Sequence, residues 1–290
     1  MKNVLVTGGK GQLATCLKDI TNDLKDFNFI YVDVEELDIT KPFAVNDFFK
    51  LKNIDFCINC AAYTAVDNAE SNKELATSVN VSGAKNLANA CDKNKAILIQ
   101  ISTDFVFDGR QATLYTENAL EAPLSIYGIT KLDGEKAVSE ELKEHFIIRT
   151  SWLYSEHGNN FLKTMLRLGV ERDKISVVCD QIGTPTYAGD LAKLITKIIC
   201  ENRTEFGTYH YSNEGVASWY DFAKAIFDES NVNIDLSPIN TSQYPTPAKR
   251  PFFSVMDKTK IKSRLGVEIP YWRDSLKICL IKLQRIRDGI

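Results

Sequence analysis

Tyr127 and Lys131, four residues apart in Tyr127-Gly128-Ile129-Thr130-Lys131, could together move a proton. On a helix that spacing puts both side chains on one face. A free phenol has a pKa of about 10, and an ammonium beside it stabilises the phenolate and lowers that value. The pair could then hand a proton to a carbonyl oxygen as a hydride reaches its carbon. Any half-buried helix face can show the same spacing, so the pair gains meaning only from its neighbours. One neighbour is Ser102-Thr103-Asp104, which ends the stretch Ala96-Ile97-Leu98-Ile99-Gln100-Ile101. Ligands of open α/β sheets bind at the carboxyl ends of strands. A Thr103 hydroxyl there could hold a reacting carbonyl near Tyr127. Taken alone, such a triplet is more often a turn or a cap.

The second neighbour is Gly8-Gly9-Lys10-Gly11-Gln12-Leu13. Gly8 follows a predicted strand and Gly11 opens a predicted helix. A tight glycine turn lets the backbone approach a pyrophosphate, and the helix terminus offers free N–H groups. Ala14 stands where a third glycine is usual and is small enough for close helix packing. An ordinary βα turn carries glycines too, but the strand before and the helix after favour a dinucleotide. Asp33 closes the second predicted strand. An acid there accepts from a ribose hydroxyl and disfavours a 2′-phosphate, so Asp33 argues for NADH, with NADPH tolerated.

These groups need a scaffold, and the first half of the chain supplies one. Strands are predicted over 4–7, 29–33, 55–61, 96–102 and 146–150, and helices over 12–25, 41–52, 70–94 and 128–144. Alternating strands and helices imply βαβ units with a parallel sheet, wound on both faces by right-handed crossovers. Runs such as Phe146-Ile147-Ile148 are apolar throughout, as strands covered on both faces must be. Further helices are predicted over 159–171, 188–200, 219–229 and 273–287, and 237–250, with Pro238, Pro245 and Pro247, reads as a loop. The fold class expected is α/β, a doubly wound parallel sheet of Rossmann type with a smaller C-terminal substrate lobe. Residues 1–152, with a return at about 178–205, form the dinucleotide-binding domain, and 153–177 with 206–290 form the lobe.

Composition narrows the function. A formal charge of −3 gives no basic footprint for nucleic acid and no reason to expect an anionic membrane surface. No apolar run approaches the ~20 residues that span a bilayer, and the start is too short for a signal-peptide core, so a cytoplasmic protein is expected. Cys57 and Cys60 have CxxC spacing, but the apolar run around them reads as a buried strand in which thiols pack as small hydrophobes. His145, His157 and His210 are scattered and form no ligand-spaced set.

Further segments join these: Asn59-Cys60-Ala61-Ala62-Tyr63-Thr64-Ala65-Val66-Asp67-Asn68-Ala69-Glu70, Phe105-Val106-Phe107-Asp108-Gly109, Arg149-Thr150-Ser151-Trp152-Leu153-Tyr154, Asp180-Gln181-Ile182-Gly183-Thr184-Pro185-Thr186 and Arg250-Pro251. Over nearly the whole chain this set resembles the extended short-chain dehydrogenase/reductase family. The resemblance implies Thr103, Tyr127 and Lys131 as the catalytic set, with Thr103, Asp104 and Trp152 touching a sugar. It implies a cofactor, NADH or NADPH, against Gly8, Gly11, Gln12, Leu13, Asp33, Asp38, Ile39, Ala61, Ala62, Tyr63, Tyr127 and Lys131, and a structural role for Asn80. The activity implied is reduction of the 4-keto group of a nucleotide-linked 6-deoxyhexose. Alternatives are another nucleotide-sugar reductase or epimerase, or a non-catalytic NAD(P)-binding regulatory subunit. Thr103 in place of a carboxylate pair speaks against a dehydratase, and the presence of Tyr127 and Lys131 against a regulatory subunit. Some members hold Mg2+ at a dimer interface through acids, one of them just after the glycine loop. Here that helix begins Leu13-Ala14-Thr15-Cys16-Leu17, so no Mg2+ site is expected, and the chain should be a monomer or weak homodimer.

Overall fold

The computed structural model describes residues 1–289. Five strands, β1 (Lys2–Thr7), β2 (Phe27–Val32), β3 (Ile54–Asn59), β4 (Ile97–Thr103) and β5 (His145–Thr150), form a parallel sheet with Gly207–His210. The strand order is β2-β1-β3-β4-β5 and then Gly207–His210 at the edge. The chain leaves β1 towards β2 on one side, and β3 lies on the other. The sheet therefore reverses winding between β1 and β3, and a crevice opens at their carboxyl ends.

Alternation along the strands feeds two cores, because successive side chains point to opposite faces. Val4, Val6, Phe56, Ile58, Ile99, Phe146 and Ile148 pack on one face, against α1 (Gln12–Thr21) and the helix Ala188–Cys200. Leu5, Cys57, Leu98 and Ile147 face the other way, against α2 (Pro42–Lys52) and the helices Ala84–Asn94 and Ile126–Glu141. A third core lies in the lobe, among the helices Phe161–Glu171, Trp219–Glu229 and Trp272–Asp288. Among the described residues no helix is long and apolar enough to cross a membrane.

Three boundaries depart from the sequence reading. The expected helix over 70–94 is a short helix Lys73–Thr77, preceded by a separate turn of helix Val66–Ala69, then a wide π-turn Ser78–Gly83, and only then Ala84–Asn94. Asn80 turns inward there and hydrogen bonds to Tyr63 and Thr130, as π-turns near functional sites often allow. The start of the expected loop 237–250 belongs to the strand Asp235–Ile239, parallel to Lys174–Val178. This two-stranded sheet has open edges, which tolerate Pro238. Finally, Gly207–His210 belongs to the main sheet, so the chain returns to the dinucleotide-binding layer for longer than 178–205.

Candidate active site

The carboxyl ends of β1, β3, β4 and β5 open into a cleft of about 660 Å³, within the usual range for small-molecule sites. The glycine loop forms its floor. Gly8 has φ +64°, and a Cβ there would lie 2.8 Å from the Ala61 nitrogen, so only glycine lets β1 turn beside β3. Helix α1 starts at Gly11 with no side-chain cap and no acid in its first turn. Its first N–H groups are thus available to an anion. Gln12 lines the cleft but its amide also ties the loop to the lobe, donating to Leu153 O at 3.2 Å and accepting from Ser155 Oγ at 3.2 Å.

The remaining dinucleotide side follows the sheet edge. Asp33 lies where β2 ends, and its carboxylate accepts from the Lys10 N–H at 3.0 Å and the Val34 N–H at 2.8 Å. The Lys10 ammonium stands alongside, 2.9 Å from Glu35 and open to solvent. Asp38 accepts from the Thr40 N–H and hydroxyl at 2.9 and 2.7 Å, which holds its carboxyl below the usual range. Gly8, Gly11, Leu13, Asp33, Asp38, Ile39, Ala61 and Ala62 all line the cleft. Tyr63 does not: its backbone N–H and C=O are clamped by the Asn80 side chain at 2.8 and 3.2 Å. Lys10, Thr64, Val79, Gly158 and Asn159 line the cleft without having been anticipated. The last two come from the lobe, and only the tertiary fold brings them there.

Thr103, Tyr127 and Lys131 meet in the cleft. The helix Ile126–Glu141 is fixed at its start, where Ser125 Oγ accepts from Gly128 N at 3.2 Å and Glu70 accepts from Ile126 N at 2.9 Å. Tyr127 packs edge-on against Phe105. Thr103 Oγ1 accepts from Phe105 N at 3.2 Å and donates to Asp104 Oδ1 at 3.1 Å. The expected lowering of the phenol by the ammonium does not occur in this arrangement. Burial pushes Tyr127 up to about 12, opposed by a hydrogen bond to Thr103. Lys131 donates instead to Ile101 O at 2.6 Å, and burial pulls it down to about 8 while Glu135 opposes the fall. Both groups are enclosed, and desolvation penalises each charged form.

Of the residues expected on the sugar side, Trp152 and Thr103 line the cleft and Asp104 does not. Asp104 is buried with Ser254 and Thr103 beside its carboxyl, and burial pushes that carboxyl up to about 6. Trp152 takes φ +46° and stacks on Trp219 with ring centroids 3.7 Å apart and planes at 8°. Trp152 also lines the cleft. Arg250 ties the proline-rich loop to Val66–Ala69 through Asp67, at 2.7 Å.

Among the described residues, Cys16, Glu156 and His157 form a group of potential metal ligands outside the cleft, within 4.8 Å of one another. Two of the three already have partners. Glu156 accepts from Tyr187 OH at 2.9 Å, and His157 Nε2 lies 2.7 Å from Asp19. Cys57 is buried in β3 as a free thiol, and Cys60 follows it at the cleft wall.

A glycine loop at the reversal point of a doubly wound sheet, facing a threonine, a tyrosine and a lysine, defines a nicotinamide-dependent oxidoreductase of the extended short-chain kind. The comparisons narrow the class. The family described as RmlD substrate binding domain matches residues 1–285, and the chain belongs to it. A dTDP-4-dehydrorhamnose reductase of Aggregatibacter actinomycetemcomitans is 42% identical, over 96% of this chain and 98% of that one. A solved dTDP-4-dehydrorhamnose reductase from Clostridium acetobutylicum has a TM-score of 0.94 at 42% identity, covering 97% of this chain and 99% of that one. The one from Bacillus anthracis, in complex with NADP, has a TM-score of 0.94 at 41% identity, covering 97% and 100%.

Proposed function

We propose that this chain reduces the 4-keto group of dTDP-4-dehydro-L-rhamnose to give dTDP-L-rhamnose, with NADH or NADPH, in nucleotide-sugar supply for surface polysaccharide. The observation that carries the reading is the convergence of Thr103, Tyr127 and Lys131 on one wall of the cleft whose floor is the glycine loop. The residues present suit a dinucleotide: Gly8 permits close backbone approach, α1 offers uncapped N–H groups, and Asp33 can accept from a ribose hydroxyl. When bound, the reduced nicotinamide supplies the hydride. Tyr127 gives its phenolic proton to the sugar oxygen, and Thr103, turning its one hydroxyl proton from Asp104 to the substrate, donates a hydrogen bond that orients the carbonyl. Lys131, as an ammonium, favours the phenolate left behind. Asp104 and Trp152 border the hexose.

The dinucleotide preference needs two residues. Asp33 alone favours NADH, yet the relative from Bacillus anthracis was solved with NADP. Lys10, exposed beside Asp33, can swing from Glu35 to a 2′-phosphate, so both forms are accommodated. The test is loss of reduced-nicotinamide absorbance with dTDP-4-dehydro-L-rhamnose, run beside other 4-keto sugar nucleotides. Turnover restricted to a different sugar nucleotide, or none, overturns the assignment.

A further inference from the structure

Directly behind Lys131 lies a buried charge cluster that proton delivery does not use. Glu135 is one helical turn after Lys131, and both are about nine-tenths or more buried, at 4% exposure each. Its carboxylate accepts from Arg149 Nε at 3.0 Å to both oxygens and from Arg149 Nη2 at 2.7 Å, and it also takes the Ser102 hydroxyl. Arg149, 2% exposed, reaches on to Glu121 at 2.8 Å. Ser102 and Arg149 are register partners in β4 and β5. The cluster thus grips the strand end that carries Ile101, whose carbonyl holds Lys131, and Thr103.

We propose that Glu135, held by Arg149, is a positioning residue for the reduction: it is the counter-charge that keeps Lys131 an ammonium. The proposal rests on the reductase reading, in which Lys131 acts charged. Lys131 and Arg149 stand against the carboxylates Glu135 and Glu121, and Asp104, pushed up to about 6 by burial and held by the Thr103 hydroxyl, adds a further carboxylate above that pH. The other groups facing this centre are Cys60 after β3, Thr103 and Asp104 at the end of β4, Tyr127 on the same helix, and His210 at the sheet edge. His210 is kept neutral, by burial first and by Arg149 second, with its pKa down at about 3. Cys60 is a buried thiol held well above its ordinary value by burial. Neither supplies a negative charge near neutrality. Removing the Glu135 charge leaves Arg149 to Glu121 and Lys131 without the carboxylate on its own helix, and a buried lysine gives up its proton readily whereas arginine does not. The proton is lost from Lys131.

The test is the pH dependence of turnover, whose basic limb reports loss of the Lys131 proton. Glu135→Gln should move that limb down by about one pH unit, the low end of the effect of a nearby opposite charge on a buried group, with the rate recovering at lower pH. Glu135→Asp, which keeps the charge, should leave the limb near its wild-type position. Arg149→Met leaves Glu135 to Lys131 alone and should move the limb up, a sign that loss of packing does not produce. Should Glu135→Gln fail to fold, the double variant Glu135→Gln/Arg149→Met removes an equal and opposite pair, a change buried sites tolerate. Its limb should lie about one unit below that of Arg149→Met. Rates lowered by one factor at all pH values, with limbs unmoved, overturn the proposal. A wild-type enzyme without turnover overturns the reductase reading instead. The pH dependence of NADP+ affinity, read by protein fluorescence in the same variants, then carries the Lys131 limb.

Discussion

Replacing Trp152 by alanine should weaken the protein and its grip on the sugar nucleotide together. Complete removal of a buried tryptophan costs ~3–5 kcal/mol. Trp152 is only half-buried, so roughly 2 kcal/mol applies to its packing, and losing the parallel stack on Trp219 adds about 0.5–1.5 kcal/mol. The left-handed φ of +46° persists with alanine, so the substitution relieves no strain. A loss of about 2.5–3.5 kcal/mol should lower the melting temperature by roughly 4–6 °C for a chain of 290 residues. The cleft-lining indole is lost at the same time, and KM for the sugar nucleotide should rise about tenfold, equivalent to ~1.4 kcal/mol, with kcat changed far less. Thermal unfolding and steady-state kinetics on one preparation measure both. A melting temperature that falls while KM stays put would refute the contact and leave Trp152 as a wall of the lobe core. An unchanged melting temperature would refute the packing estimate.

Tyr127→Phe should lower turnover at least about a hundredfold, the typical lower bound for general acid catalysis, while dinucleotide affinity stays within a few-fold. A near-wild-type rate would remove Tyr127 from the mechanism. Asp104→Asn should raise stability at neutral pH while lowering activity. The folded-state pKa of Asp104 is raised to about 6 from 3.8, so its contribution is fully present below the unfolded value and is lost as pH rises through the folded one. The cost above pH 6 is up to roughly 3 kcal/mol at ~1.4 kcal/mol per pH unit. The variant's gain in melting temperature should therefore appear at pH 7.5 and vanish near pH 4, and a pH-independent gain would refute the cause. Asp33→Ala should narrow any preference for NADH, and Lys10→Ala should weaken NADPH binding more than NADH binding. Competition titrations that show neither change would separate both residues from the ribose.

The parts of this site that depend on neighbours in sequence were readable without coordinates, and the parts that depend on neighbours in space were not. The glycine turn and the Tyr127–Lys131 pair are set by short-range geometry, so residue type and spacing suffice to place them. The helix over 70–94 misled because a buried asparagine at position 80 satisfies a loop and a second helix rather than the solvent. Nothing in a periodic pattern distinguishes that from an ordinary polar face. The ionisation of the pair was misjudged for a related reason. Spacing places an ammonium beside a phenol, but whether it lowers the phenol depends on where the ammonium points and on how dry the site is. Here Lys131 turns to the Ile101 carbonyl, and desolvation is the largest influence on both residues. Arg149 shows the same boundary from the other side. Its segment was recognisable as a motif, yet its function as the partner of Glu135 arises only because β5 lies next to β4 with Arg149 opposite Ser102. A residue that acts through another residue's charge leaves no local signature. The sheet register that creates the contact has to be seen before the chemistry can be argued.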